Sequence, residues 1–378
     1  MATHAHPDLP PRALQQCWGV TRIGRITGLD RVGVEVACAV RPRGHVLQTA
    51  NGKGWSFRVA ARAALSEAAE LEASERVDPT VLRWASIEQM RRRFGERAVW
   101  GVTPWLIGRY PNAEVERLRL AWIEGRLLQS NRPVWLPAAA IFCPPPGAFG
   151  LSPVPVRWTS NGIAAHPQRS SALRHALLEL AERDGLARTL PQGWTVRGVR
   201  ESLLSEAALA RISPRTERAL RRIRAAGFEL HLFLWPRGGA GGVSLPIGAA
   251  LLFDEEGSPI PLTAGYGCGL SAKAALESAF LEAAQSRLTD IHGAREDVQP
   301  MAARDVARLR SWCRTASKSP LLASAPPTPP EPASPGALLR RFERSGHGML
   351  ASVELASELP GLRVVRLLSQ TLLLTELL

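Results

Sequence analysis

Apolar and polar positions alternate along residues 19–40 (GVTRIGRITGLDRVGVEVACAV), which predicts short strands with turns at Gly28 and Gly33. From about Ser56 the period lengthens to that of a helix. Residues 98–165 mix short apolar runs with loop signals, including a rigid CPPPG at 143–147. A second helix is predicted over 170–187 and a third over 271–288. Between them, AGFELHLFLWP and VSLPIGAALLF within 226–253 read as paired strands joined by the turn RGGAGG. The stretch TASKSPLLASAPPTPPEPASPG, 315–336, is a Pro/Ser/Ala linker without the apolar residues to pack. After it, HGMLASVELASELPGLRVVRLL predicts a helix and then a buried strand. The expected fold is α+β, a mixed, mainly antiparallel sheet with helices packed around it. The expected divisions are a flexible tail over 1–17, a main domain over 18–314, the linker over 315–336 and a helix–strand segment over 337–378 that completes the main domain.

Composition narrows the class. The chain has 378 residues, 45% of them apolar, enough for a substantial core. The net charge of +13 comes almost wholly from arginine, since Lys53, Lys273 and Lys318 are the only lysines. A basic balance favours acidic partners. Yet the arginines are spread along helical stretches such as MRRRFGERAVW, and no nucleic-acid reader motif is present. A compositional arginine bias is therefore the favoured reading, and strong salt-dependent binding of RNA or DNA would argue otherwise. Five cysteines, Cys17, Cys38, Cys143, Cys268 and Cys313, show no paired spacing, as expected in a reducing compartment. The N-terminus has no apolar signal core, and the longest apolar run, GGVSLPIGAALLF, is too short and too broken to span a bilayer. A cytoplasmic protein with no membrane partner is the expectation.

Three octapeptides carry the chemistry: AALSEAAE from Ala63, HALLELAE from His175 and SAFLEAAQ from Ser278. Each reads Ala, an apolar residue, one variable position, Glu, two variable positions, then Glu or Gln. The pairs Glu67/Glu70, Glu179/Glu182 and Glu282/Gln285 each fall on one helical face. Upstream of each lies a glycine-bearing stretch, TANGKG, TSNGIAA or GYGCG, read as a turn. One E-x-x-E on a helix is usually a solvated face. Three copies inside apolar helices suggest one site assembled from three parts of the chain. Like charges packed together are costly, and divalent cations reverse that cost. Magnesium takes carboxylate and phosphate oxygens, glycine backbone approaches phosphate closely, and Lys53, Arg183, Arg287 and Arg295 would hold phosphate oxygens. The pattern is that of a magnesium–nucleotide site without a Walker motif.

Other candidates weigh less. His175 and Glu179 stand at i,i+4, but no third zinc ligand follows at metal spacing, and His4 and His6 lie in the N-terminal tail. Cys268 is the only cysteine near a proposed phosphate turn, although a lone cysteine more often serves packing. Eleven tryptophans suggest aromatic packing or a peptide groove, with nothing in the sequence to place them together.

These segments resemble the YcaO family, from TGLDRVGVEVACAVRP to LRVVRLL, with NGKG before AALSEAAELE, TSNGIAAH before ALLELAERDG, and EAAQSRLTDIHGARED as the most specific pieces. The resemblance implies a YcaO-like fold with an ATP site between the three motif helices. It also implies an ATP- and Mg2+-dependent enzyme that activates a peptide backbone amide by phosphorylating its oxygen. Side-chain nucleophiles then give azolines, sulfide gives thioamides and amines give amidines. Carried over by motif, Glu67, Glu70, Glu179 and Glu182 would serve the metal. Lys53, Asn161, Arg183, Gln285, Arg287 and Arg295 would serve the nucleotide. Implied partners are a precursor peptide or protein substrate, a TfuA-like or E1-like protein and a second copy in a homodimer. Two departures matter. Ala63 stands where the family usually has Ser, which suggests the alternative of a nucleotide-binding, catalytically impaired accessory protein. The chain ends SQTLLLTELL and lacks the Pro-x-Pro-x-Pro tail frequent among azoline-forming members, which favours thioamide or another backbone modification.

Overall fold

Glycine in a strand marks a place where another backbone comes close, and this accounts for TANGKG and GYGCG among the three glycine-rich stretches. In the computed structural model they are edge strands or lead into one, each with a helix laid across it. The structure describes residues 18–145, 150–256, 260–293, 301–316, 334–357 and 361–374. The N-terminal tail, Arg295, most of the Pro-rich linker and the last residues lie outside the described residues.

The described residues form three antiparallel sheets. The first has order β1-β2-β3, with β1 Arg22–Arg25, β2 Glu35–Val40 and β3 Thr49–Gly54. Helix α1, Phe57–Glu75, lies on it. The second sheet begins with β4, Arg83–Ser86, followed by the short helices α2, Ile87–Phe94, and α3, Asn112–Arg117. It continues with β5 Arg119–Leu127, β6 Pro133–Pro137 and β7 Ile163–His166. Helix α4, Arg169–Thr189, packs against it. Three short helices follow: α5 Val196–Ser202, α6 Glu206–Ile212 and α7 Pro214–Ala225. The third sheet has order β10-β9-β8, with β8 Phe228–Trp235, β9 Ile247–Asp254 and β10 Leu262–Cys268. Helix α8, Ala272–His292, covers it. Helices α9, Ala303–Thr315, and α10, Pro335–Arg344, precede β11 Leu350–Leu355 and β12 Arg363–Ser369. These last strands return to the second sheet, whose order is β4-β5-β11-β12-β7 with β6 on β5.

The α+β class and the antiparallel pairing agree with the sequence pattern, with the strands divided among three sheets. Three local expectations change. TANGKG and most of GYGCG are strands, not turns. TSNGIAA is a turn only as far as Gly162, which has φ +81°, before β7 begins. Leu350–Leu355, expected as helix, is a central strand paired on both sides, where the β12 and β5 ladders override local propensity.

The close approaches explain the glycines and alanines. A Cβ on Gly52 would lie 2.0 Å from the Ala60 carbonyl oxygen, and one on Gly265 would lie 2.1 Å from the Ala283 nitrogen. Ala60, Ala64 and Ala68 on α1, and Ala275 and Ala279 on α8, are fully buried against these strands. In each of the three units the edge strand, β3, β7 or β10, is followed directly by its helix. The octapeptide glutamates therefore stand beside an open sheet edge.

Candidate active site

An edge strand presents main-chain N–H groups without a ladder partner, and the octapeptide carboxylates accept them. Glu67 Oε2 accepts Asn51 N–H at 2.9 Å, and Glu179 Oε2 accepts Gly162 N–H at 3.0 Å. Glu282 accepts Tyr266 N–H. The first Glu of each octapeptide thus binds its own unit. The second position reaches into the next. Glu70 Oε1 accepts Ala165 N–H at 2.7 Å, and Glu182 Oε2 accepts Cys268 N–H at 3.0 Å. Gln285 closes the ring, its Nε2 donating to the Asn51 carbonyl at 3.2 Å. The Glu-to-Gln change follows from polarity: the ring here meets a carbonyl, and an amide donates where a carboxylate cannot.

These groups surround a cavity of about 2400 Å³. That is well above the roughly 300–1,000 Å³ typical of small-ligand pockets. Glu67, Glu70, Glu179, Asn161, Arg183 and Gln285 line it, as does Lys53. The Lys53 ammonium is paired with Glu282, a cavity-lining acid absent from the predicted metal set. Glu182 stands behind the wall, its Oε1 3.9 Å from Arg183 Nη2. Arg287 is elsewhere. It is 2% exposed, and its guanidinium bonds Asp30, Asp254 and the Ile260 carbonyl. The expectation that it contacts phosphate is corrected, because a buried cation follows its buried anions. Its i,i+2 neighbour Gln285 faces the cavity, and helical geometry turns Arg287 to the far side.

The electrostatics are those of crowded acid. Burial pushes the Glu70 carboxyl well above the usual carboxylate range; the Ala165 N–H offsets part of this, and Glu179 and Glu67 add to it. Burial also raises Glu179, against the pull of Arg183, the Gly162 N–H and Arg366. Glu182 is raised by burial and by Glu282. For Glu282 itself burial acts upward, but Lys53 and Arg183 outweigh it and hold the carboxyl low. Cys268 is a poor nucleophile here: burial, with Glu182 adding, pushes its thiol well up and keeps it protonated. His175 lines the cavity with its ring stacked 6.4 Å from that of His166.

Among the described residues no three acidic, His or Cys side chains stand at metal-ligating distance of one another. Magnesium does not need such a cage, because it is usually held by one or two carboxylates together with waters and phosphate oxygens. Among the described residues, three buried atoms of cavity-lining side chains lack a hydrogen-bond partner: the donor Trp18 Nε1, the acceptor Asn51 Oδ1 and the donor Arg183 Nε, the last two on motif residues or beside them. For these last two, a metal-bound water and a phosphate oxygen are the complementary groups. The residues present therefore fit a magnesium nucleotide. Asn51 escaped the sequence reading although it lies in TANGKG. Strand parity, which turns Asn51 N–H and Lys53 to the same edge, would have flagged it.

Comparisons with known proteins bear on the family and the fold. A family model described as YcaO cyclodehydratase, ATP- and Mg2+-binding, matches residues 51–371. An uncharacterised protein in the tfuA 3' region of Rhizobium leguminosarum bv. trifolii is 32% identical over 293 residues, 75% of this chain and 65% of that protein. One from Methanothermobacter thermautotrophicus is 31% identical over 286 residues, 74% of this chain and 68% of its own length. The chain thus spans about two thirds of the length of these relatives. Among solved structures, YcaO from Methanopyrus kandleri bound with AMPPCP and Mg2+ superposes with a TM-score of 0.68 at 22% identity, over 94% of this chain and 87% of the other. A heterocyclase in complex with substrate and cofactor gives 0.68 at 17% identity, over 93% and 50%. At these identities the structural likeness establishes the fold.

Proposed function

The chain belongs to the YcaO family, and from that premise we propose that it uses ATP and Mg2+ to activate a backbone amide of a peptide or protein. The observation that carries the reading is the convergence of carboxylates from α1, α4 and α8 on one cavity wall, beside the unpartnered Asn51 Oδ1 and Arg183 Nε. Amide oxygen is a poor leaving group. A nucleophile adds to the amide carbon, the oxygen takes the γ-phosphoryl group, and the C–O bond breaks with release of phosphate. With sulfide the balance is amide, sulfide and ATP giving thioamide, ADP and phosphate. Catalysis is then mainly positioning and charge neutralisation.

In this scheme Mg2+ supplies positive charge against the phosphates. Glu67, Glu70 and Glu179 would hold the cation, and Glu182 supports β10 through the Cys268 N–H. Arg183 and Asn161 orient phosphate oxygens, and Gln285 keeps the Asn51 carbonyl in register. Lys53 is shared with Glu282, so it anchors that acid as much as it attracts phosphate. The thioamide product is preferred over the azoline. The support for this preference is that one relative is described by its place in a tfuA 3' region. A TfuA-like sulfur-delivery protein is the proposed partner and the cytoplasm the proposed location, a reading supported by the free thiols of Cys38, Cys143, Cys268 and Cys313. No described helix is long and apolar enough to cross a membrane.

The test is phosphate release by the purified chain with Mg–ATP, sulfide and candidate peptides. Turnover that needs peptide and is lost in Glu67→Gln and Glu179→Gln supports the reading. Absence of nucleotide binding at millimolar Mg–ATP ends it. The accessory-protein alternative rests on Ala63, a cavity-lining position. It expects nucleotide binding without peptide-dependent turnover, and gain of turnover in Ala63→Ser.

A further inference from the structure

Residues along β10 alternate in the direction of their main-chain groups. Thr263, Gly265 and Gly267 stand opposite Leu252, Ala250 and Gly248 of β9 in the antiparallel ladder. Tyr266 and Cys268 turn their N–H groups the other way, to Glu282 and Glu182. By the same two-residue period, Leu262 and Ala264 face that open edge too. Both line the cavity; the parity of β10 turns the Ala264 N–H and carbonyl away from β9, and among the described residues no turn, loop or side-chain hydrogen bond is made to them. The edge that the glutamates cap at one end is therefore open at the other.

The slot beside this open stretch has two unlike walls. Thr263 Oγ1 bonds the Ala283 carbonyl, and Gly265 and Gly267 press on α8, so odd positions of β10 face α8. On that side the cavity is lined by Gln285, Ser286 and Asp290. Even positions face the opposite layer, where Leu262 and Ala264 pack with Leu309, Trp194 and Trp312. These side chains line the cavity as well, and Trp194 donates to the Tyr266 hydroxyl.

We propose that this open edge of β10 is the docking strand for the substrate polypeptide, which adds as an extended strand by pairing with the Ala264 main chain. The proposal rests on the amide-activation reading and specifies how the amide is presented. A strand paired at Ala264 runs along the edge toward Tyr266 and Cys268, so its next amides arrive beside Glu282 and Lys53. Its side chains alternate between the polar α8 wall and the tryptophan wall. Substrates carrying apolar or aromatic residues at every second position are selected. Edge addition supplies affinity through main-chain hydrogen bonds and specificity through alternate side-chain pockets. The cavity exceeds what a nucleotide occupies, which leaves room for the added strand.

Hydrogen exchange at Leu262 and Ala264 tests this in the full chain. The probes are a non-hydrolysable ATP analogue with Mg2+, and N-acetylated, C-amidated hexapeptides of randomised sequence. The expected result is that the hexapeptides, added over saturating nucleotide, slow exchange at Ala264 about tenfold or more, with no slowing from nucleotide alone. Pools with apolar residues at alternate positions bind more tightly than pools with apolar residues in blocks. Ala264→Pro removes only an edge-facing N–H, which an edge strand tolerates. It is expected to lower hexapeptide affinity about tenfold or more, with nucleotide titration showing the site intact. Protection by nucleotide alone would overturn the proposal, because the edge would then read the base. So would hexapeptide binding that leaves Ala264 exchange unchanged, or Ala264→Pro binding hexapeptide like the parent. If Ala264→Pro fails to fold, the exchange experiment on the parent chain decides. Loss of nucleotide binding altogether is a separate outcome, and it removes the amide-activation reading rather than the edge.

Discussion

At the residue scale, one carboxylate does two jobs. Glu70 accepts the Ala165 N–H through Oε1 and lines the cavity. Its burial beside Glu179 and Glu67 makes the ionised form costly. Glutamine keeps the hydrogen bond and removes the charge. Glu70→Gln is therefore expected to raise the melting temperature of the ligand-free protein by about 3 °C or more while abolishing Mg2+-dependent nucleotide binding. Scanning calorimetry with nucleotide titration checks both halves, and a structural acid would show a loss of stability instead. The same reasoning sets a pH dependence. Glu70, Glu179 and Glu182 have folded values raised above the unfolded one, so the folded chain binds protons more tightly. Their contribution to stability is complete below about pH 4.3, the unfolded glutamate value, and is lost as pH rises through the folded values. Glu229 works in the opposite sense at the acid end. Arg314, Arg310 and His231 outweigh its burial and hold it at about 2, so its stabilisation is lost only as pH falls toward that value. The melting temperature of the ligand-free protein is thus expected to fall from pH 5 to pH 8. Glu70→Gln should flatten the slope, as should saturating Mg2+ and nucleotide.

At the element scale, the first and third units depend on a helix lying directly on glycine of the strand before it. An Ala at Gly265 places its Cβ 2.1 Å from the Ala283 nitrogen and 2.3 Å from the Ala279 carbonyl oxygen. Backbone cannot yield as a flexible side chain does, so Gly265→Ala is expected to destabilise by about 3 kcal/mol. Gly24, also in a strand, has nothing within 4 Å of an added Cβ. Gly24→Ala should stay within about 0.5 kcal/mol of the parent. Denaturant unfolding of the pair separates close packing from general strand propensity. Equal losses would show that the helix shifts to accommodate a methyl group.

At the scale of the whole molecule, the first and third sheets are joined by buried ion pairs. Arg287 on α8 binds Asp30, which precedes β2, and Asp254 at the end of β9, while Arg31 Nη2 reaches Asp254 Oδ1 at 2.6 Å. Arg287→Met leaves two buried carboxylates short of a partner and is expected to cost about 3–5 kcal/mol. Nucleotide affinity of the folded protein should be unchanged, since Arg287 lies away from the cavity. A large loss of affinity with unchanged stability would restore it to the phosphate site.

The sequence by itself determined the three helices, the paired strands of 226–253 and the acids at i,i+3, because helical and strand periods are local properties of side-chain spacing. It also carried the family resemblance, which lies in the order of short motifs. Only the tertiary structure decided that the glycine stretches were edge strands or led into one, that Leu350–Leu355 was a strand, that Arg287 served the core, that Glu282 paired with Lys53 and that Asn51 lined the cavity. Each depends on a partner distant along the chain: Ala165 for Glu70, Asp30 for Arg287, Trp194 and Trp312 for β10. A periodic pattern says which way a side chain turns on its own element. What it meets there is settled by packing between elements, where desolvation and main-chain hydrogen bonding are decided.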